Sequence, residues 1–182
     1  SIYGGSLITG NVIDDNGHSN TQAVIYCDSQ AIIDNNIISN NTGYPIYGGK
    51  FIRFNEISNN NSDTYFIDSP NMLEFKNNVI SDNNSTAKFI HGTELTDFSN
   101  NILTNNHNEY NIFIDLSRDL VLSDESNDIL YYPFQFNNNI IENCSSHSEF
   151  IYADYNDKDM VSFSGNTIVN CSNTGSNDFK KI

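Results

Sequence analysis

The sequence has no tryptophan and only eight lysine and arginine residues, against 23 aspartate and glutamate residues, which gives a formal net charge of −15. Without a basic stripe to neutralise phosphates, we expect no nucleic-acid partner and no attraction to anionic lipid. No stretch approaches the roughly 18 consecutive apolar residues of a membrane-spanning helix. We therefore expect no membrane insertion within this segment.

Cysteine is also scarce. Cys27, Cys144 and Cys171 show no zinc-type spacing, and their odd number does not indicate a disulfide framework. No segment has a convincing helical period of 3.6 residues. These absences leave a β-rich chain for which we predict neither a metal nor a cofactor.

A motif recurs seven times along the chain: Ile or Phe, two residues, Asn, one residue, then Ile or Leu. The steps between successive Asn residues are 25, 19, 23, 23, 38 and 27 residues. The repeated asparagines are Asn11, Asn36, Asn55, Asn78, Asn101, Asn139 and Asn166. A fixed repeat of this length is typical of a solenoid, in which each unit covers the next.

A second motif precedes each copy and consists of Ile, a variable residue and usually a small residue. Short β-branched and aromatic runs of this kind, broken by Asn, Ser, Asp and Gly, predict strands. We therefore predict an all-β fold: a right-handed single-stranded parallel β-helix of about seven coils over residues 1–182. The 38-residue step predicts an inserted loop near 116–133 that either is solvated or binds a partner.

The last position of the first motif should form one inward stack, because like residues lie over like in a solenoid. Its members are Ile13, Ile38, Ile57, Ile80, Leu103, Ile141 and Ile168. Asn tolerates a left-handed backbone, and its amide can bond the Asn of the next coil. We therefore predict that the seven asparagines form a structural turn ladder.

These columns resemble the repeats of polymorphic outer-membrane-protein adhesins and their protist surface counterparts. Phe150-Ile151-Tyr152-Ala153 followed by Phe163-Ser164-Gly165-Asn166 is similar to one unit of that family. The abundance of Asn and the Asn-Cys-Ser endings resemble the protist branch. The resemblance implies a secreted or cell-surface, adhesin-like β-helix. Because the chain begins and ends within a repeat, without a leader sequence, we interpret it as an excerpt of a longer solenoid.

The variable residue of the second motif should point outward wherever its Ile points inward. This column contains Tyr3, Tyr26, Tyr47, Asp68, His91, Asp115 and Tyr152. We predict either a binding stripe that stacks on sugars or contacts a protein, or an ordinary exposed strand face, where Tyr is common.

Enzymes with a β-helix fold are the main alternative. Asp14-Asp15 and Gly17-His18 resemble two elements of polygalacturonases, but they lie within five residues of a single coil. A lyase needs a basic side chain beside a calcium cluster, and the two arginines are Arg53 and Arg118, on distant coils. Residues 154–159 have the oxygen density of a calcium loop, although they lack the Gly and Glu of an EF-hand. We therefore expect no catalytic residues.

Cys144 and Cys171 each follow a repeat Asn by five residues, so they should stack as a disulfide or as two buried thiols. Cys27 occupies the small-residue column and should be a buried filler. Six Asn-x-Ser/Thr sequons are candidates for glycosylation. They begin at Asn40, Asn60, Asn83, Asn84, Asn143 and Asn170.

The sequence thus predicts a non-catalytic, extracellular or cell-surface β-helix that binds a protein or a glycan. Two alternatives stay open. One is a polysaccharide-active enzyme, and the other is an architectural rod that stacks or docks with neighbouring copies, because exposed coil ends invite pairing.

Overall fold

The computed structural model describes residues 1–17, 22–116, 134–152, 161–175 and 180–181. Within these ranges the regular elements are short strands, and no helix is long and apolar enough to span a membrane. Each strand pairs in parallel with the equivalent strand of the next coil, and this pairing builds four sheets, A to D. The predicted all-β parallel solenoid is confirmed.

The chain visits the sheets in the order A, B, C and D within each coil. Sheet A contains the strands Ile2–Tyr3, Ala23–Tyr26, Tyr44–Tyr47, Ile67–Asp68, Ile90–His91, Ile114–Asp115, Ile151–Tyr152 and Lys180–Lys181. Sheet B contains Leu7–Thr9, Ile32–Asp34, Phe51–Arg53, Glu74–Lys76, Asp97–Ser99, Phe134–Asn137 and Val161–Ser164.

Sheet C contains the strands Val12–Asp14, Ile37–Ser39, Glu56–Ser58, Val79–Ser81, Ile102–Thr104, Ile140–Glu142 and Thr167–Val169. Sheet D contains Asn61–Ser62, Asn84–Ser85, His107–Asn108, Ser145–Ser146 and Ser172–Asn173. Sheets B and C contain seven strands each, which agrees closely with the predicted number of coils. The inserted loop predicted near 116–133 lies outside the described residues.

Like side chains stack on like in the interior. The predicted Ile and Leu column of sheet C is buried from Ile13 to Ile141, and Ile168 is half-buried. In sheet B the rings of Phe98 and Phe136 lie 4.9 Å apart and are nearly parallel. Beside sheet A, Phe66 and Phe89 stack at 4.3 Å. Each fully buried side chain of this size contributes about 1.5–3 kcal/mol by removing apolar surface from water.

The seven repeat asparagines form a hydrogen-bonded ladder, as predicted. Asn36 is representative: its backbone N–H and its side-chain amide both donate to Oδ1 of Asn55, at 3.1 and 3.0 Å. The same amide also donates to the backbone carbonyl of Ile8 in the preceding coil, at 2.9 Å. The buried amide is therefore satisfied by its neighbours, which makes this column structural.

The left-handed backbone lies one residue before each ladder Asn and not, as expected from the sequence, on the ladder Asn itself. At the corner between sheets B and C, φ is positive at Gly10, Asn35, Phe54, Asn77, Asn100, Asn138 and Gly165. These residues form the bend. The side chains of Asn35, Phe54, Asn100 and Asn138 are exposed. The following Asn is thereby left free to turn its amide inward.

A second ladder, which the sequence analysis missed, follows the first by five residues, at the corner between sheets C and D. Its asparagines are Asn16, Asn41, Asn60, Asn83 and Asn106. Asn60 repeats the pattern of the first ladder, since its amide donates to Oδ1 of Asn83 at 3.1 Å and to the carbonyl of Ile38 at 2.9 Å. The residue before each member again has a positive φ.

Candidate functional site

The outward column of sheet A begins with a stack of three tyrosines. The ring centroids of Tyr3 and Tyr26 lie 6.1 Å apart, and those of Tyr26 and Tyr47 lie 4.8 Å apart with an angle of 7° between the planes. Tyr44 meets Tyr47 edge-on. The regular spacing of the coils sets this stack, because paired residues of sheet A lie directly over one another. We call Tyr3, Tyr26 and Tyr47 the tyrosine row.

The middle tyrosine of the row, Tyr26, presents a ring edge and a hydroxyl group rather than its ring faces. Tyr26 is sandwiched between Tyr3 and Tyr47, yet it is 46% exposed, so its exposed area lies at its edge. Sugars stack on the face of an aromatic ring, and both faces of Tyr26 are covered. Tyr26 therefore suits an edge-on contact better than a stacked sugar, and the choice between a sugar and a protein partner stays a prediction.

An open groove runs beside the tyrosine row. It is lined by the three tyrosines together with Gly4, Gly5, Cys27, Asp28 and Ser29. The exposed Asp28 carboxylate lies at its edge and accepts a hydrogen bond from the backbone N–H of Gln30 at 2.8 Å. Cys27 is buried, as the sequence predicts for a filler, and burial with the nearby Asp28 charge raises the pKa of its thiol to about 11. This thiol is therefore un-ionised at neutral pH.

The outward column continues with Asp68, His91, Asp115 and Tyr152. Nδ1 of His91 lies 2.8 Å from Oδ1 of Asp68, and both side chains are half-buried. Asp115 was expected to point to solvent, but it is 1% exposed and forms an ion pair with Lys88. This expectation is wrong because the Lys88 side chain covers the carboxylate and neutralises its charge. Further along the column, Tyr152 is half-buried.

The described cationic side chains of residues 22–116 all have partners. Arg53 pairs with Glu74 at 3.7 Å, and its guanidinium lies over the ring of Phe51. Lys76 pairs with Asp97 at 2.7 Å. Lys88 pairs with Asp115, and Lys50 donates to Gln30. Each of these four side chains would have to break the interaction with its partner before it could act as the base of a lyase.

The polygalacturonase-like element is only partly within the described residues, since His18 lies outside them. Asp14 accepts hydrogen bonds from the hydroxyl of Ser39 at 2.7 Å and from the amide of Asn40 at 2.8 Å. These bonds hold the pKa of the Asp14 carboxyl below its ordinary value. Such a carboxyl stays ionised and cannot act as a general acid near neutral pH.

No group of three or more potential metal ligands occurs in the part of the chain that the structure describes. The calcium-loop candidate at 154–159 lies outside that part, as does Arg118.

Cys144 and Cys171 continue the second ladder in place of asparagine. The Cys144 thiol lies 3.5 Å from the carbonyl of Leu103, and the Cys171 thiol lies 3.4 Å from the carbonyl of Ile141. The asparagines of this ladder bond the equivalent carbonyls. Of the two states considered from the sequence, the structure shows two stacked thiols, and Cys144 is buried while Cys171 is half-buried.

The six sequons differ in accessibility. Asn60 and Asn83 belong to the second ladder, are buried, and use their amide nitrogens in hydrogen bonds. The prediction that these two are glycosylation candidates is wrong, because a glycan would remove those bonds and could not fit in the core. The other four have exposed side chains and stay candidates: Asn40, Asn84, Asn143 and Asn170.

Comparison with protein families gives a match over residues 1–119 to the family described as "Right handed beta helix region". No curated protein and no solved structure gives a significant match. The matched region covers well over half of the chain and includes the tyrosine row and the groove. The chain therefore belongs to the right-handed β-helix family.

Proposed function

We propose that this chain is an extracellular, adhesin-like and non-catalytic β-helix that binds a protein partner through the tyrosine row and the adjoining groove. The exposed and regularly spaced tyrosine row carries the proposal. Tyr26, which has a coil on either side of it, is still 46% exposed. Tyrosine edges and hydroxyls on a rigid sheet lose little conformational entropy on binding, and tyrosine is enriched at the energetic centres of interfaces.

The orientation of the rings favours a protein over a glycan. Tyr26 offers a hydroxyl and a ring edge, which suit hydrogen bonds and edge-on aromatic contacts. The formal charge of −15 and the Asp28 carboxylate at the groove favour a basic surface on the partner. The right-handed β-helix family contains both enzymes and non-enzymes, and the pairing of the described cations supports the non-catalytic proposal.

A bead-adhesion assay tests the proposal. Beads coated with the purified chain are applied to cultured epithelial monolayers, and bound beads are counted at physiological and at raised salt. We expect wild-type beads to bind more than beads coated with an unrelated acidic protein, and a Tyr26→Ser/Tyr47→Ser double variant to lose most of that binding. Tyr110→Ser is the control, because Tyr110 is an exposed tyrosine that lies outside the tyrosine row.

Treatment of the monolayer distinguishes the partner classes. Loss of binding after trypsin treatment supports a protein partner, whereas loss only after glycosidase treatment points to a glycan. Equal binding by wild type and the double variant would overturn the role of the tyrosine row. Release of new reducing ends from polygalacturonate by the purified chain would overturn the non-catalytic proposal.

An architectural role is the second candidate, and it is supported by an exposed aliphatic row on sheet C. Its members are Val12 and Ile37 and, on the other side of the exposed Glu56, Val79, Ile102 and Ile140; these aliphatic side chains are 38–71% exposed. A flat row of this kind could pack against another copy. Sedimentation velocity tests this role: concentration-dependent association that Ile102→Lys abolishes supports it, and a monomer at all concentrations contradicts it.

A further inference from the structure

We propose that Cys144 and Cys171 are the site of an inter-coil disulfide, formed by exchange with a small-molecule or enzyme disulfide, that covalently joins two adjacent coils. The proposal stands on the alignment of the two coils. The strands Ile140–Glu142 and Thr167–Val169 pair in register, and Cys144 and Cys171 follow them at the same position. The backbone N–H of Ser172 donates to the carbonyl of Cys144 at 3.0 Å, which keeps this register past the corner.

The separation of the two residues suits a disulfide. Paired residues on adjacent parallel strands have Cα atoms about 4.8 Å apart, which lies within the roughly 4.4–6.8 Å that a disulfide spans. Both thiols lie at the same corner of adjacent coils, each beside a backbone carbonyl of the preceding coil. Closing the bond therefore needs rotation of two side chains and no rearrangement of the coils.

The two thiols differ in reactivity. The neighbouring Cys144 thiol and the backbone N–H of Cys144 lower the pKa of Cys171. The neighbouring Cys171 thiol and burial raise the pKa of Cys144. Cys171 is also the less buried of the two. It is therefore the nucleophile, and Cys144 is the resolving thiol.

The exchange balances in two steps. The Cys171 thiolate attacks one sulfur of glutathione disulfide, and one glutathione thiolate leaves. The Cys144 sulfur then attacks Cys171 of the mixed disulfide, its proton passes to the second departing glutathione, and the protein disulfide forms. Two protein thiols are oxidised and one glutathione disulfide is reduced to two glutathione thiols.

The position of the pair gives the bond a structural effect. The bond would join the coil that contains Ile141 and Phe136 to the next coil, which contains Ile168 and Phe163. It also restricts the unfolded chain over the residues between the two cysteines.

Titration of the purified chain with mixtures of reduced and oxidised glutathione tests the proposal, with peptide mass spectrometry as the readout. We expect a single intramolecular bond between Cys144 and Cys171, with Cys27 reduced until the chain unfolds. Oxidation should raise the unfolding temperature by roughly 5–10 °C. Persistence of both thiols in the folded chain, or a bond to Cys27, would overturn the proposal.

A double variant, Cys144→Asn/Cys171→Asn, is the matched control because it restores the amide of the second ladder at both positions. We expect it to fold and to show no shift in unfolding temperature on oxidation. Cys27→Ala should keep the full shift. A shift of the same size in the double Asn variant would show that the disulfide is not its cause, and this result too would overturn the proposal.

Discussion

The two ladders connect adjacent coils through equivalent contacts but use different side chains. In the first, seven asparagines run without interruption from Asn11 to Asn166, whereas in the second Cys144 and Cys171 replace the last two amides. In both ladders the side chain contacts a backbone carbonyl of the preceding coil. It also accepts a hydrogen bond from a backbone N–H of that coil. The comparison shows that the corner requires a buried group that both donates and accepts, rather than an amide as such.

Removal of an amide from the middle of the first ladder should have the largest effect. In Asn78→Ala, the amides of Asn55 lose their acceptor and the carbonyl of Ile52 loses its donor, all in the buried interior. We expect a loss of about 3 kcal/mol or more in the free energy of unfolding. Urea unfolding followed by circular dichroism measures it. Asn84→Ala, at an exposed position, is the control, and equal losses in both variants would contradict the ladder's role.

The second ladder should tolerate a thiol better than a methyl group. In Asn83→Cys, sulfur can still accept from Asn60 and donate toward the carbonyl of Ile57, as it does at Cys144. We expect Asn83→Cys to be more stable than Asn83→Ala by about 1 kcal/mol in the same urea assay under reducing conditions. Equal stability of the two variants would show that the Cys thiol does not replace the hydrogen bonds of Asn83.

The left-handed corner before the first ladder contains one residue that should be improvable. Phe54 has a φ of 55° and is 53% exposed, where the other coils have Gly or Asn. Because Asn tolerates this backbone better, we expect Phe54→Asn to stabilise the chain by about 0.5–1 kcal/mol. Phe54→Ala is the control and should show no such gain in the urea midpoint. A less stable Asn variant would mean that the Phe54 ring makes an unrecognised contact.

The smallest effect should be the pH dependence that Asp14 contributes at the second corner. Its folded-state pKa lies below the ordinary value, so its stabilisation is present above the unfolded pKa and is lost as pH falls through the folded pKa. At about pH 7 we expect Asp14→Asn to lower the urea midpoint slightly, and we expect this difference to shrink as pH falls below about 4. A difference that does not shrink would assign the effect to something other than ionisation.

The first ladder could be predicted from sequence because each Asn stands at a fixed distance from two apolar residues. In the second ladder an Ile or Leu also stands three residues before each Asn, but no apolar residue follows two positions later, and two of its members are cysteine. Its signal in the sequence is the offset of five residues from each repeat Asn, which Asn41 and Asn60 share with Cys144 and Cys171.

The candidate site was predictable in position but not in orientation. Alternation along a strand places Tyr26 on the outside, as the structure confirms. It does not determine the direction of the ring, which depends on the tyrosines one coil away. Nor could it predict the burial of Asp115, because the covering side chain, Lys88, lies in the preceding coil.

Hydrogen–deuterium exchange of asparagine side-chain amides, followed by NMR on the ¹⁵N-labelled chain, tests the stacking of the coils most directly. The amides of Asn55, Asn78 and Asn83 should exchange far more slowly than those of the exposed corner residues Asn59 and Asn100. Exchange of all five at the same rapid rate would contradict an interior held together by amide ladders.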